Sequence, residues 1–201
     1  MSMMQTTRTA LLASVVAVCL TGCIGLGGKT PPFLLTLDAD AAPTSGEART
    51  AAEAATLTIL IPTASQKLRT TRIPVQQDDS SVTYVKDAQW VEAPQRLFQR
   101  LVSETVAART ARVVLDEGQY LTAPGEQLAG QLMEFGIDAR SNEAVVVYQA
   151  MLVSAGGKTV TQRRFEVREP LAAKIEAKPA GEALARAANK VAVDVAAWLG
   201  G

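Results

Sequence analysis

Alternation between apolar and polar residues predicts most of the strands of this chain. Over residues 56–61, Leu57, Ile59 and Ile61 fall on one side of an extended backbone and Pro62 closes the run, so a strand is expected there. Shorter extended pieces are expected at 33–37, directly after Pro31-Pro32, and at 72–76 and 82–86. The last two are separated by Gln77-Asp78-Asp79-Ser80-Ser81, a segment of turn composition. A short strand at 112–115 precedes the turn Asp116-Glu117-Gly118, and longer strands follow at 127–138 and 143–154. The second of these carries Val145-Val146-Val147-Tyr148, apolar on both faces as a central strand requires. Gly156-Gly157 supplies the positive φ angles of a tight hairpin, which leads into a strand at 159–168.

The period changes to that of a helix in two places. Over 92–109, Leu97, Leu101 and Thr105 lie beside Phe98, Val102 and Val106 in two i, i+4 rows that merge into one apolar stripe, with Pro94 in the first turn. Over 181–199, Leu184, Ala188, Val191, Val195 and Trp198 form a second stripe, after a linker bracketed by Pro170 and Pro179. Residues 38–55 lack large apolar side chains and read as a long loop. Strands in the middle of the chain and two single-striped helices predict an α+β fold: a mostly antiparallel sheet with two amphipathic helices packed on one face.

The N-terminus obeys a different logic. Arg8 stands in a polar start, an apolar run covers 10–20, and small residues lead to Leu20-Thr21-Gly22-Cys23. The apolar run is far shorter than the roughly 20 residues needed to span a bilayer core, so it reads as the hydrophobic part of an export signal. The closing tetrapeptide resembles the bacterial lipobox, which implies cleavage before Cys23 and acylation of its thiol. The expected organisation is a signal peptide at 1–22, a lipidated tether at 23–32 and one domain at 33–201. By resemblance to enterobacterial lipoproteins, Ile24 rather than Asp after the cysteine implies the outer membrane, with the domain facing the periplasm. Gly25-Leu26-Gly27-Gly28-Lys29 lacks the preceding strand and following Ser/Thr of a phosphate loop and reads as tether.

Composition narrows the chemistry. Of 201 residues, 48% are hydrophobic and 20% charged, enough for a core. Aromatics are only 4%, leaving few rings for stacking bases, and Lys+Arg equal Asp+Glu at 20 each, so nucleic acid is not an expected partner. There is no histidine, and the two cysteines, Cys19 and Cys23, both lie before the domain. No catalytic residue, metal site or cofactor is assigned on this pattern, and the protein is not expected to be an enzyme. Asp78-Asp79 reads as a solvated turn, and Arg163-Arg164 with the basic residues of 69–72 as solvent-facing positions, although either basic group would suit anionic headgroups.

One local motif is not explained by composition: Tyr84-Val85-Lys86-Asp87-Ala88-Gln89-Trp90, running into the Pro94 helix. With the lipobox, the 33–37 strand after a short tether, the segment containing Ile73 and the closing helix ending at Trp198-Leu199, this chain resembles the ABC-type transport auxiliary lipoprotein family, which includes the paraquat-inducible protein C type. The resemblance implies a role beside an ABC permease and ATPase in lipid transport. The implied partner is a periplasmic protein with the mammalian-cell-entry domain, with Tyr84 and Trp90 as candidate partner-binding residues and Cys23 as the lipid-attachment site. Self-association into a homo-oligomer is a further expectation. The alternative is a structural or assembly lipoprotein of another envelope machine, such as a secretion pilot or a lipopolysaccharide-export partner.

Overall fold

The computed structural model describes residues 31–52, 55–119 and 125–200. The expected signal peptide, Cys23 and most of the expected tether therefore lie outside the described residues. Among those described, the elements run β1 (Thr56–Ile59), β2 (Thr63–Ala64), β3 (Arg72–Gln76), β4 (Val82–Gln89), α1 (Pro94–Arg109), β5 (Val113–Leu115), β6 (Glu126–Asp138), β7 (Glu143–Val153), β8 (Val160–Pro170) and α2 (Ala177–Gly200).

β6 is the spine of the sheet. One of its edges pairs antiparallel with β7 from Gln127↔Val153 to Asp138↔Glu143, and β8 follows antiparallel on β7. The other edge receives β1, β2 and β3 in succession, all parallel, through Leu57↔Glu126, Thr63↔Gln131 and Val75↔Ile137. Residues 56–76 thus track β6 as one interrupted strand, broken where Pro62 lacks an N–H and where a 3-10 turn, Gln66–Leu68, intervenes. β5 pairs parallel with β1 and β4 antiparallel with β3, so this end of the sheet is split in two.

The α+β class and the two helices are as expected, and the sheet is mixed: its long ladders are antiparallel as expected, while β1, β2, β3 and β5 add parallel pairings. Residue alternation reports which face a side chain takes. It carries no information on the direction of a partner strand more than fifty residues away, as β6 is from β1. The strand expected at 33–37 is also reduced, to one parallel bridge between Leu35 and Trp90. There the Leu35 N–H donates to the Gln89 carbonyl at 2.8 Å and the Val91 N–H to the Leu35 carbonyl at 2.9 Å.

Helix α2 begins at Ala177, earlier than the expected 181, because Pro179 falls in the first turn, where N–H groups have no helical acceptor in any case. Its inner face is unusually wide: Ala180, Ala183, Leu184, Ala187, Ala188, Val191, Ala192 and Val195 are all fully buried. Small side chains let the helix pack closely against both α1 and the sheet. Phe98 of α1 meets Tyr148 of β7 edge-on at 5.1 Å, and Phe165 of β8 meets Trp198 of α2 at 5.8 Å. One polar residue interrupts the seam. Asn189 accepts the Asp40 N–H at 2.9 Å and donates to the Asp38 carbonyl at 3.1 Å, pinning the start of the long loop to the helix.

Sheet packing is tight where β3 runs beside β6. A Cβ on Gly136 would stand 2.5 Å from the Pro74 carbonyl oxygen, which is main chain and cannot move aside. Gly136→Ala should therefore destabilise the domain by about 3 kcal/mol, as overpacking against backbone does. By contrast, Gly156→Ala, at φ 78° with open space around it, should cost only about 1 kcal/mol. Urea unfolding of both variants checks the contrast.

Candidate partner-docking surface

The face of the sheet opposite the helices is built from alternate residues of three strands, and its polarity follows from register. Past the bulge between Leu132 and Glu134, β6 presents Glu134, Gly136 and Asp138 on this side, opposite Val147, Val145 and Glu143 of β7. β8 adds Glu166 and Arg168 opposite Val147 and Val145. Lys67, Pro74 and Arg140 close a groove of about 360 Å³ over Val145.

Charges in this groove are paired rather than free. Lys67 Nζ lies 2.6 Å from Glu134 Oε2. Asp138 sits between two arginines: Arg140 Nε is 3.1 Å from Oδ1 and Arg168 Nη1 is 3.6 Å from Oδ2. Arg140 also reaches Asp79 at 2.6 Å, and Arg168 reaches Glu166 at 3.1 Å and Glu143 at 3.6 Å. The Arg140 hydrogen bond holds the Asp138 carboxyl below the usual carboxylate range against the opposing effect of burial, with the Arg140 main-chain N–H and the Arg168 charge adding to it.

The acidic pair Asp78-Asp79 divides between two tasks. Asp79 pairs with Arg140, while Asp78 accepts the Ser80 and Ser81 N–H groups at 2.8 and 2.9 Å and the Ser81 hydroxyl at 2.6 Å, which lowers its pKa to about 2. The pair Arg163-Arg164 splits likewise. Neighbours in a strand point to opposite faces, so the Arg163 guanidinium lies 5.2 Å over the Phe165 ring on the helix side while Arg164 approaches Glu166 at 3.7 Å on the other. Neither pair forms a compact charged patch.

β8 also leaves one edge unpaired. The Ser154 N–H donates to the Thr159 carbonyl and the Leu171 N–H to the Asn142 carbonyl, both at 3.0 Å, which sets the hydrogen-bonded positions of the β7–β8 ladder. By the alternation of an antiparallel ladder, Val160, Gln162, Arg164, Glu166 and Arg168 turn their main-chain groups outward, where no strand pairs with them among the described residues. Beside this edge, Phe165, Asp194, Ala197 and Trp198 line a shallow groove between β8 and α2. Interleaved charge of this kind is how exposed edges avoid indiscriminate pairing.

The two candidate partner-binding residues are separated by the fold. Tyr84 is half-buried on β4, with the Arg72 guanidinium 4.3 Å above its ring. Trp90 is 1% exposed and packs edge-on against Phe135 at 5.7 Å, so its ring belongs to the core and is not presented to a partner. Its Nε1 finds no acceptor among the described residues. The motif reads as one unit in the sequence because the edge strand β4 dives into the core at its end. The lipid-attachment candidate Cys23 lies outside the described residues. What the sequence did not single out is the Asp138–Arg140–Arg168 cluster, whose members come together only through the β6–β7 turn and the β7–β8 ladder.

Trp90→Ala should cost about 3–5 kcal/mol through the cavity it leaves. Tyr84→Ala, which removes an exposed cation–ring contact, should cost under about 1 kcal/mol. Thermal or urea unfolding distinguishes the two. Asp138→Asn should cost about 1–3 kcal/mol at neutral pH by removing the acceptor of charged hydrogen bonds. Because the folded pKa of Asp138 lies below its ordinary value of 3.8, its contribution is complete above pH 4 and is lost as the pH falls through the folded value. The variant should therefore lose less stability than the parent on acidification below pH 4, read by unfolding midpoints across that range.

Residues 35–196 match the family model described as ABC-type transport auxiliary lipoprotein component. Among curated proteins nothing matches the sequence. A crystal structure of a Xanthomonas campestris protein of family DUF330 superposes with a TM-score of 0.71 at 16% identity, covering 84% of this chain and 94% of that one. A second crystal structure, described as an uncharacterized protein, superposes at 0.62 and 12% identity, covering 82% and 99%. At such identities the structures speak for the fold, and the family match speaks for kinship across most of the length. The chain belongs to the family of ABC-type transport auxiliary lipoprotein components.

Proposed function

We propose that this protein is an outer-membrane-anchored, periplasm-facing accessory lipoprotein of an ABC and mammalian-cell-entry-type lipid transport system, acting by docking its partner rather than by catalysis. The carrying observation is the lipobox tetrapeptide Leu20-Thr21-Gly22-Cys23 standing just ahead of a domain that matches the auxiliary lipoprotein family from residue 35 onward. On this reading residues 1–22 are removed, Cys23 carries the acyl chains, 23–32 is the tether and 33–201 the working domain. Among the described residues no helix is long and apolar enough to cross a membrane, so acyl chains are the natural attachment. Each buried methylene contributes about 0.8 kcal/mol, and two or more chains make attachment stable.

The geometry suits docking. The outer sheet face pairs its charges around a rigid β-scaffold, and the β8 edge offers an ordered row of outward N–H and C=O groups. A periplasmic mammalian-cell-entry-domain protein is the partner this reading names for that surface.

Mass spectrometry of the native protein should find Cys23 at the N-terminus with a diacylglyceryl thioether, and Cys23→Ser should release the protein from envelopes. A photo-crosslinker at Gln162 or Arg164 should capture the mammalian-cell-entry-domain protein in intact cells, whereas one on the Phe33 corner should not. Absence of that partner from every β8 crosslink would overturn the docking proposal.

A further inference from the structure

Five large hydrophobic residues are well exposed among the described residues, and three of them share one corner: Phe33 at 44%, Leu34 at 52% and Val91 at 40%. They flank the Leu35–Trp90 bridge, Leu34 on one side of it and Val91 on the other, where the entering chain is drawn against the end of β4 through the 2.8 and 2.9 Å bonds to Gln89 and Val91. The corner is held firmly. Leu35 lies so close to α2 that a Cβ on Gly181 would meet its Cδ2 at 2.8 Å, and Trp90 beside it is locked in the core. Phe33 and Leu34 thus stand directly before a backbone that is fixed at Leu35. The other two exposed residues, Val82 and Val160, each stand alone at the start of a strand.

We infer that the Phe33–Leu34–Val91 corner is a membrane-contact surface that rests in the headgroup layer of the bilayer holding the acylated Cys23. The inference rests on the anchoring reading above and adds an orientation to it. Only ten residue steps separate Cys23 from Phe33, so even a fully extended chain sets the corner no more than about 36 Å from its anchor point. Of all surfaces of the domain, this corner is the one the tether holds nearest to lipid. An apolar group confined there partitions into the acyl boundary without the cost of bringing protein and membrane together.

The surroundings fit a lipid surface better than a protein. Arg72, in register with Gln89 one strand away, is exposed, pairs with no carboxylate among the described residues, and stacks on Tyr84 at 4.3 Å. A cation and a phenol flanking an apolar tip are the side chains that favour headgroup depth, the first for anionic phosphate and the second for the polar–apolar boundary. The arrangement also orients the domain. Leu35 meets α2 at Gly181, and Trp198 lies seventeen residues further along, about 25 Å at the rise of a helix. The groove beside β8 is thereby set at the far end of α2 from the lipid.

A single-thiol experiment tests this. In the mature acylated chain Cys23 is blocked and Cys19 has left with the leader, so an introduced cysteine is the only free thiol. Val91→Cys and Val160→Cys carry an environment-sensitive fluorophore, and the full acylated proteins are reconstituted into phosphatidylethanolamine–phosphatidylglycerol vesicles. The position 91 probe should shift to the blue and resist aqueous iodide several-fold better than the position 160 probe. Adding Phe33→Ser and Leu34→Ser should abolish that protection while the protein still floats with the vesicles and its melting temperature is unchanged. Equal quenching at both positions in floating protein overturns the membrane corner and leaves the anchor standing. Failure to float, with an unmodified Cys23 by mass, overturns the anchor reading and the corner with it.

Discussion

A single extra residue in β6 decides which side of this sheet is wet. Before the bulge, Leu128 and Leu132 point toward the helices; after it, Phe135 and Ile137 do, because Met133 has no counterpart between the Leu132↔Tyr148 and Glu134↔Val147 pairs. Strict alternation from Leu132 would aim Glu134, Gly136 and Asp138 at α1 and α2 instead. Two carboxylates buried against a dry helical face would be prohibitive without partners. The bulge reverses parity at the one point where the sequence reverses its own, and this keeps the helix side apolar and the outer side ionic.

From that division the rest of the molecule follows. The helix side can be filled by alanine-rich α2 and the rings of Phe98, Tyr148 and Trp90, with Asn189 as a buried polar exception that satisfies its amide on loop and helix backbone. The outer side holds Asp138 between Arg140 and Arg168 because the β6–β7 turn brings Arg140 back over the strand and the β7–β8 ladder brings Arg168 alongside. The ion pairs there are half-exposed and contribute modestly to stability. Matched, interleaved charges of this kind disfavour indiscriminate strand pairing, and in the proposed docking role would select a partner of complementary geometry.

Legibility in the sequence divided along the same line. Elements with a local signature were readable: the α1 stripe of Leu97, Phe98, Leu101 and Val102, the Gly156-Gly157 turn with φ 78° and 71°, and the two long strands β6 and β7. Features that depend on a distant partner were not. The parallel pairing of β1 with β6 and the shrinking of 33–37 to one bridge both arise from tertiary neighbours. The Arg163-Arg164 pair illustrates the difference: adjacent in sequence, it resembles one basic patch, yet the pleat sends its members to opposite faces. The parity change at Met133 was encoded, in apolar positions at 128, 132, 135 and 137, but reading it needs knowledge of which face is buried.

The two proposed contact surfaces are joined by a rigid part of the scaffold. Helix α2, with a fully buried inner face, connects two surfaces at its different ends: the apolar corner at Leu35 and Gly181, and the groove at Phe165 and Trp198. A lipoprotein tether alone constrains distance but not orientation. If the domain presents its strand edge to a large partner as proposed, a second point of contact with the bilayer would help, because a fixed orientation lowers the rotational freedom lost on docking. On the proposed reading, a rigid helix between a lipid-facing corner and an open edge would supply that orientation, and with it a mechanical means of serving a transport machine.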